Sequence, residues 1–294
     1  MNATDDVTIR KATQLDQSKI MKLVDQLNEL EQLDYSLDED WFSYVISDSN
    51  FHIYIVLYNL QIVGLGTMIY DNIENVADIN IIIHPYYRNK GIGSLFYQYL
   101  LASNPYGAIT LQCVVNNRLD HSVNFVLRRG FEPGTSSWKM EMQIDDSTYN
   151  EMHKHEEIQI RKAYEDDAHS YVSLINSTFG YSINDESFTT LFNDPSIHVY
   201  FICRHNRIIG TISVEFRKNV SIGYIYDIAV SQEFRGRGFG SSAIVYCMEE
   251  LKKQGIKKAV LLVEGENEAA LSLYQRLGFV ETEKITIYRN DEYN

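Results

Sequence analysis

In the second half of the chain the apolar positions change period in a regular order. Residues 158–162 read as a short strand, and from about Asp166 the spacing becomes helical, with Val172 and Ile175 on one face. A segment rich in aromatic and acidic residues follows. Residues 198–203 and 208–216 then alternate or run apolar with β-branched side chains, and the turn-forming Arg204, His205, Asn206 and Arg207 between them predict a hairpin. A further strand is expected over 223–230. Beyond a glycine-rich turn, Ile244, Val245, Met248 and Leu251 fall on one helical stripe; Lys252 and Lys253 suit the negative end of its dipole, and Gly255 ends it. Residues 258–263 read as a strand, 267–277 as a helix capped by Asn267 and stopped by Gly278, and 283–288 as a last strand. The predicted order is β-α-α-β-β-β-α-β-α-β. The first half reads the same way, with Pro105 ending its middle helix soon after Leu101.

The two halves also share residues. Ile9-Arg10-Lys11-Ala12 with Asp16 recurs as Ile160-Arg161-Lys162-Ala163 with Asp167, 151 positions later. His52 with Gly64 recurs as His198 with Gly210 at an offset of 146, Arg88 to Gly93 recurs at 147, and Gly130-Phe131 recurs as Gly278-Phe279 at 148. Four matches in one order at nearly one offset mark an internal duplication. The expected division is a first domain over 1–145, a polar linker over 146–157 and a second domain over 158–294.

The chain has 294 residues, long enough for two ordinary cores. Its formal charge of −14, with no basic half hidden by an acidic one, argues against a nucleic-acid partner, whose binding rests on neutralising phosphates. Cys113, Cys203 and Cys247 lie far apart in apolar surroundings without metal-ligand spacing, so they read as reduced and structural, and no metal is expected. The start is acidic and no apolar run approaches the length of a membrane span; a cytoplasmic location without a membrane partner is the expectation.

The stretch with most chemistry is the strand ending Tyr224-Ile225-Tyr226-Asp227-Ile228-Ala229-Val230, the turn Arg235-Gly236-Arg237-Gly238-Phe239-Gly240-Ser241, and the helix that follows. A strand that ends in such a turn points several backbone N–H groups at one spot, where they and the helix dipole stabilise an anion such as a pyrophosphate. Gly238 and Gly240 permit close backbone approach, and Arg235 and Arg237 add charge. Neither G-x-G-x-x-G nor G-x-x-x-x-G-K-[ST] occurs here.

This turn, R-x-x-G-x-G after a strand, is followed some forty residues later by Asn267-Glu268-Ala269-Ala270-Leu271-Ser272-Leu273-Tyr274-Gln275-Arg276-Leu277-Gly278-Phe279, and together they resemble the two signature motifs of the GNAT acetyltransferase superfamily. The resemblance covers both halves, so the chain looks like a tandem member. It implies an α/β fold of α+β layering, with two domains that each have a mixed, mostly antiparallel central sheet flanked by helices. It also implies an acetyl-CoA site: backbone groups of Ile228, Ala229 and Val230 for the pantetheine arm, the 235–241 turn for the pyrophosphate, and Asn267 and Ala270 against the cofactor. Ile83, Arg88, Asn89, Lys90, Gly91, Ile92, Gly93 and Ser94 are the counterparts in the first half.

Acetyl transfer to an amine needs a neutral nucleophile, a stabilised oxyanion and a proton for the leaving thiolate. Asn267, Ala270 and Tyr274 share one helical stripe, and the resemblance makes Tyr274 the acid. Many family members carry a Glu as base on the strand before the turn; here Tyr224 and Tyr226 stand there, and the nearby carboxylates are Asp227 and Glu264. Strand alternation would put Asp227 on the face opposite Tyr226 and Ile228. Either acid, a water relay or an acceptor that arrives neutral meets the need for a base.

At an offset of 148 Asn267 corresponds to Leu119 and Tyr274 to Val126, so the first copy keeps a phosphate turn but lacks the acid. Asn116 or Asn117 would replace Leu119 if the helix start were shifted. The second copy is therefore expected to be catalytic. Phe179, Tyr181, Tyr224 and Tyr226, beside Asp185, Glu186, Phe188 and Phe192, offer an aromatic and acidic pocket for a small-molecule or peptide amine. In the first copy Glu29, Glu31, Asp34, Asp38, Glu39 and Asp40, beside Tyr35 and Trp41, form a denser acidic stretch. The expected protein is an N-acetyltransferase, a monomeric pseudo-dimer or a homodimer. The alternatives are a non-enzymatic acyl-CoA-binding protein, or two active domains with different acceptors.

Overall fold

The computed structural model describes residues 6–33, 42, 45–47, 50–71, 75–104, 110–145, 155–218 and 220–291. Asp34, Tyr35, Asp38, Glu39, Asp40, Trp41, Pro105 and most of the linker lie outside these residues. The chain forms two compact units. One comprises Met1–Ser136 with Ile285–Asn294, the other Ser137–Lys284. The units are not the contiguous halves, because the last strand of each half pairs in the sheet of the other half's unit.

In the first unit, β1 (Val7–Lys11), β2 (Phe51–Tyr58), β3 (Gln61–Asp71) and β4 (Val76–Ile83) follow one another antiparallel, β5 (Thr110–Asn116) pairs parallel with β4, and the C-terminal strand completes the sheet against β5. Helix α1 (Gln17–Glu31) buries Ile20, Leu23, Val24 and Leu27 on one face of the sheet. Helices α2 (Ile92–Ala102) and α3 (Asp120–Leu127) belong to a second core cluster, built with Phe96, Leu100 and Val126.

The second unit repeats this plan. Its sheet contains β6 (Glu132–Gln143), β7 (Gln159–Lys162), β8 (Ile197–Arg204), β9 (Arg207–Arg217), β10 (Ile222–Val230) and β11 (Lys258–Glu264). All pairs are antiparallel except β10 with β11. The C-terminal strand of the chain is β12 (Val280–Asn290); its residues 285–290 pair with β5, while 137–143 of β6 pair with β11. Helices α4 (Ala168–Phe179) and α5 (Asp185–Asn193) pack with Tyr171, Ile175 and Phe188 in one cluster. Helices α6 (Phe239–Lys253) and α7 (Glu268–Arg276) pack with Ile244, Met248, Leu251 and Tyr274 in another. A mixed sheet between helices is the architecture the motifs implied. The three cysteines are free and buried. No helix among the described residues is long and apolar enough to cross a membrane.

Candidate active site

The site begins where two parallel strands part. β10 and β11 pair only through Ile222–Lys258, Gly223–Ala259 and Tyr224–Val260, although both strands run on, to Val230 and Glu264. Backbone groups that face a fork have no ladder partner across it, and an extended ligand with its own amides can pair with them. The first unit has the same fork, since β4 and β5 pair only over 76–78 and 110–112.

Only one fork has a bulge. β10 shifts register against β9 between Tyr226 and Ala229, and Asp227 takes φ +51°. β3 and β4 pair without interruption. Matching the ladders, Asp227 and Ile228 stand where the first unit has Ile81 alone, so one extra residue lies in β10. The offset of 146 before this strand and 147 after it is the trace of that residue in the sequence. The bulge breaks the expected alternation between Asp227 and Tyr226, whose ladder partner Ser213 faces the Asp227 carboxylate, while Ile228 packs with the other core as expected. The Asp227 carboxylate turns to α4, where it accepts a hydrogen bond from the Tyr171 hydroxyl, and burial first, then the nearby Asp227 charge, raise the pKa of the Tyr226 phenol. Burial raises the Asp227 pKa above the usual carboxylate range, against the opposing effects of Tyr171 and Ser213.

The turn after β10 leaves backbone donors facing outward. Gly236 and Gly238 take φ +74° and +81°, a region that costs other residues about 1 kcal/mol or more. Arg235 donates from Nε to the Val230 carbonyl at 2.8 Å, which fixes the turn against the strand. The amides of residues 236–241 donate to no backbone acceptor among the described residues, so they remain available at the start of α6. Arg237 donates to the Glu233 carbonyl at 3.2 Å. Ser242 accepts a hydrogen bond from the His155 amide at 3.0 Å, and the His155 ring packs edge-on against Phe239. His155 had no motif to mark it; only the fold brings this linker residue to the turn.

Asn267 caps α7, its side chain accepting from the Ala270 amide at 3.1 Å. One turn further on, Tyr274 is 7% exposed, and burial alone pushes its phenol up to about 12. It is therefore protonated at neutral pH. Glu264 is exposed at the end of β11. Phe179 and Tyr181 stack with centroids 5.5 Å apart and are both exposed, whereas Phe188 is 1% exposed and belongs to the core. The Tyr224 ring carries the Arg217 guanidinium at 4.1 Å, and Arg217 also pairs with Glu215 at 2.6 Å. Tyr224 is thus already engaged by a cation of its own chain.

In the first unit Arg88 bonds the Ile83 carbonyl at 2.7 Å, as Arg235 does Val230. Asn89 and Gly91 take φ +58° and +81°, and the amides of residues 89–94, including Lys90, Ile92 and Gly93, have no backbone acceptor among the described residues. Ser94 accepts from Arg129 at 2.7 Å. Val126 fills the position of Tyr274. Leu119 holds the N-cap of α3 with φ −95° and ψ 80°, close to the −86° and 67° of Asn267, so the helix start is not shifted. Asn116 bonds the Arg118 amide instead.

The acetyltransferase (GNAT) family pattern matches residues 19–131 and again 148–279. A mycothiol acetyltransferase of Paenarthrobacter aurescens is 22% identical over 242 residues, covering 78% of this chain and 74% of that protein. N-alpha-acetyltransferase 30 of Schizosaccharomyces pombe is 30% identical over 118 residues, 40% of this chain and 73% of that protein. Among solved structures, a tandem GNAT protein from the clavulanic acid biosynthesis pathway matches with a TM-score of 0.80 at 12% identity, covering 97% of this chain and 98% of the other. A GCN5-related N-acetyltransferase from Sphaerobacter thermophilus matches with a TM-score of 0.78 at 18% identity, covering 97% and 96%.

Proposed function

Because the chain belongs to the acetyltransferase (GNAT) family, and is thus an acyltransferase, we propose that its second unit moves an acetyl group from acetyl-CoA to a primary amine of a small molecule or peptide. The observation that carries this is the coincidence, in one unit, of a bulged fork, a turn with uncommitted amides and a buried, protonated phenol. The first unit has a fork and a turn, but its β4 has no bulge against β3 and Val126 stands where Tyr274 does.

The donor set suits acetyl-CoA. The amides of residues 236–241 and the positive end of α6 would hold its pyrophosphate, with Arg235 and Arg237 beside them. The fork edges at Ile228, Ala229 and Val230 would pair with the pantetheine amides. Acetyl-CoA supplies the activated acetyl group on its thioester. Tyr274 then gives its hydroxyl proton to the leaving sulfur; the burial that raises the phenol also makes a thiolate more basic, so the transfer is not opposed by the full gap in pKa. Asp227, made more basic by burial, takes the proton of the acceptor ammonium. Phe179 and Tyr181 would stack on an amine-bearing group. The first unit is non-catalytic in this reading.

A panel of primary amines and N-terminal peptides, assayed for acetyl-CoA consumption with wild type and Tyr274→Phe, tests the proposal. Turnover with at least one amine, reduced about 10²-fold or more in the variant with acetyl-CoA affinity unchanged, is the expected result. Equal rates would remove Tyr274 from the mechanism.

A further inference from the structure

Asp227 is the residue that the bulge adds, and it does not stand alone. Its Oδ2 is bonded by the hydroxyl of Tyr171, which comes from the first turn of α4 and is 3% exposed. Ser213 of β9, fully buried, faces the same carboxylate. The groups around the carboxylate are therefore Tyr171 from α4, Ser213 from β9 and Tyr226 from β10. Glu215, Arg217 and Asp194 act on Tyr226 rather than on Asp227.

The duplication supplies a control. The counterpart of Tyr171, 151 positions earlier, is Ile20, an apolar residue in the core with no exposure. The counterpart of Ser213 is Thr67, which accepts a hydrogen bond from Asn80 at 3.4 Å. The bulge, its carboxylate and the phenol that holds it thus occur together in the unit with Tyr274, and all are missing from the unit with Val126. A buried tyrosine needed only for packing would be replaceable by the isoleucine that its counterpart uses.

We propose that Tyr171 is a positioning residue for acetyl transfer: by holding Oδ2 of Asp227 it fixes the carboxylate on the bulge to accept the amine proton. This rests on the reading of Asp227 as the base and adds the residue that makes it one. The hydrogen bond favours the charged carboxylate, whereas burial favours the neutral one. Two opposing effects set its working range.

The test is a carboxyl titration of the full chain labelled with 13C at aspartate Cγ, read by NMR, with Asp227→Asn identifying the resonance. Tyr171→Phe retains the ring that packs on Phe188 and removes only the hydroxyl. The Asp227 midpoint is expected to rise by about one pH unit in that variant, the loss of one hydrogen bond to a charged group. Tyr171→Leu, which removes ring and hydroxyl together, must give the same rise if the hydroxyl is responsible. With an amine that is turned over, the acid limb of kcat/KM moves upward by the same amount and acetyl-CoA affinity stays constant. An unchanged Asp227 midpoint in both Tyr171 variants overturns the inference. Full activity in Asp227→Asn instead overturns the underlying assignment of the base, whatever the titration gives.

Discussion

Glu31 at the end of α1 grips Arg88 with two hydrogen bonds, of 2.6 and 2.7 Å, and so joins the ends of both arms of the first fork. Arg88 follows β4, while Arg118 and His121, which follow β5, reach the same residue: Arg118 donates to the Glu31 carbonyl at 2.8 Å and the His121 ring lies 3.8 Å from its carboxylate. Arg235, at the matching place in the second unit, has no carboxylate partner among the described residues. Glu31→Gln is expected to lower the stability of the first unit by about 2 kcal/mol, the loss of a charge-assisted pair, whereas Arg235→Gln changes stability by about 0.5 kcal/mol or less. Urea denaturation of both variants checks the difference.

Acid should weaken both units through one repeated contact. Arg10 pairs with Asp16, and Arg161 with Asp167, at 2.7 Å each, and in both cases the arginine hydrogen bond holds the carboxyl below its usual range. A depressed folded-state pKa stabilises at pH values above the unfolded carboxylate's, about 4, and that stability is lost as pH falls through the folded value. The double variant Asp16→Asn, Asp167→Asn is expected to melt lower at pH 7 and to lose less of its Tm between pH 4 and pH 2 than wild type. Parallel slopes in that interval would contradict the assignment.

The caps of α3 and α7 differ in one side chain on nearly the same backbone. Asn267→Ala removes the bond to the Ala270 amide and should cost about 1 kcal/mol; Leu119→Asn gives α3 the cap it lacks and should gain a similar amount. Thermal unfolding of the two variants reads both signs.

The strand exchange can be tested with fragments. Residues 1–145 lack β12, which leaves β5 without its partner over 285–290, and they carry Met140 and Met142, which belong to the core of the second unit. Each half expressed alone is expected to aggregate, and the halves co-expressed to form a soluble pair that binds acetyl-CoA. A folded, monomeric 1–145 fragment on size exclusion would contradict this.

Most of the element order was legible because period and punctuation agree: Gly255 and Gly278 end helices where the apolar stripe stops, and Asn267 caps where it starts. What the sequence could not carry was pairing. The alternation of Met140 and Met142, or of Ile285 and Ile287, makes a strand but does not name its neighbour, so the exchange of β6 and β12 was invisible. The face of Asp227 relative to Tyr226 was misread because alternation holds only without a bulge; the offset step from 146 to 147 recorded the extra residue without saying where it lay. Tyr171 and His155 were missed for a related reason. Each reaches the site from 56 and 83 residues before its partner there, Asp227 or Gly238, and neither lies in a motif.

Calorimetric titration of acetyl-CoA into wild type and Gly238→Trp tests whether the turn of the second unit holds acetyl-CoA for transfer. Gly238 stands at φ +81°, where an L side chain is strained, and an indole there covers the amides at the start of α6. Saturable binding to wild type and loss of the site served by this turn in the variant, together with loss of transfer, is the expected result. A variant that binds with the stoichiometry and affinity of wild type would contradict it.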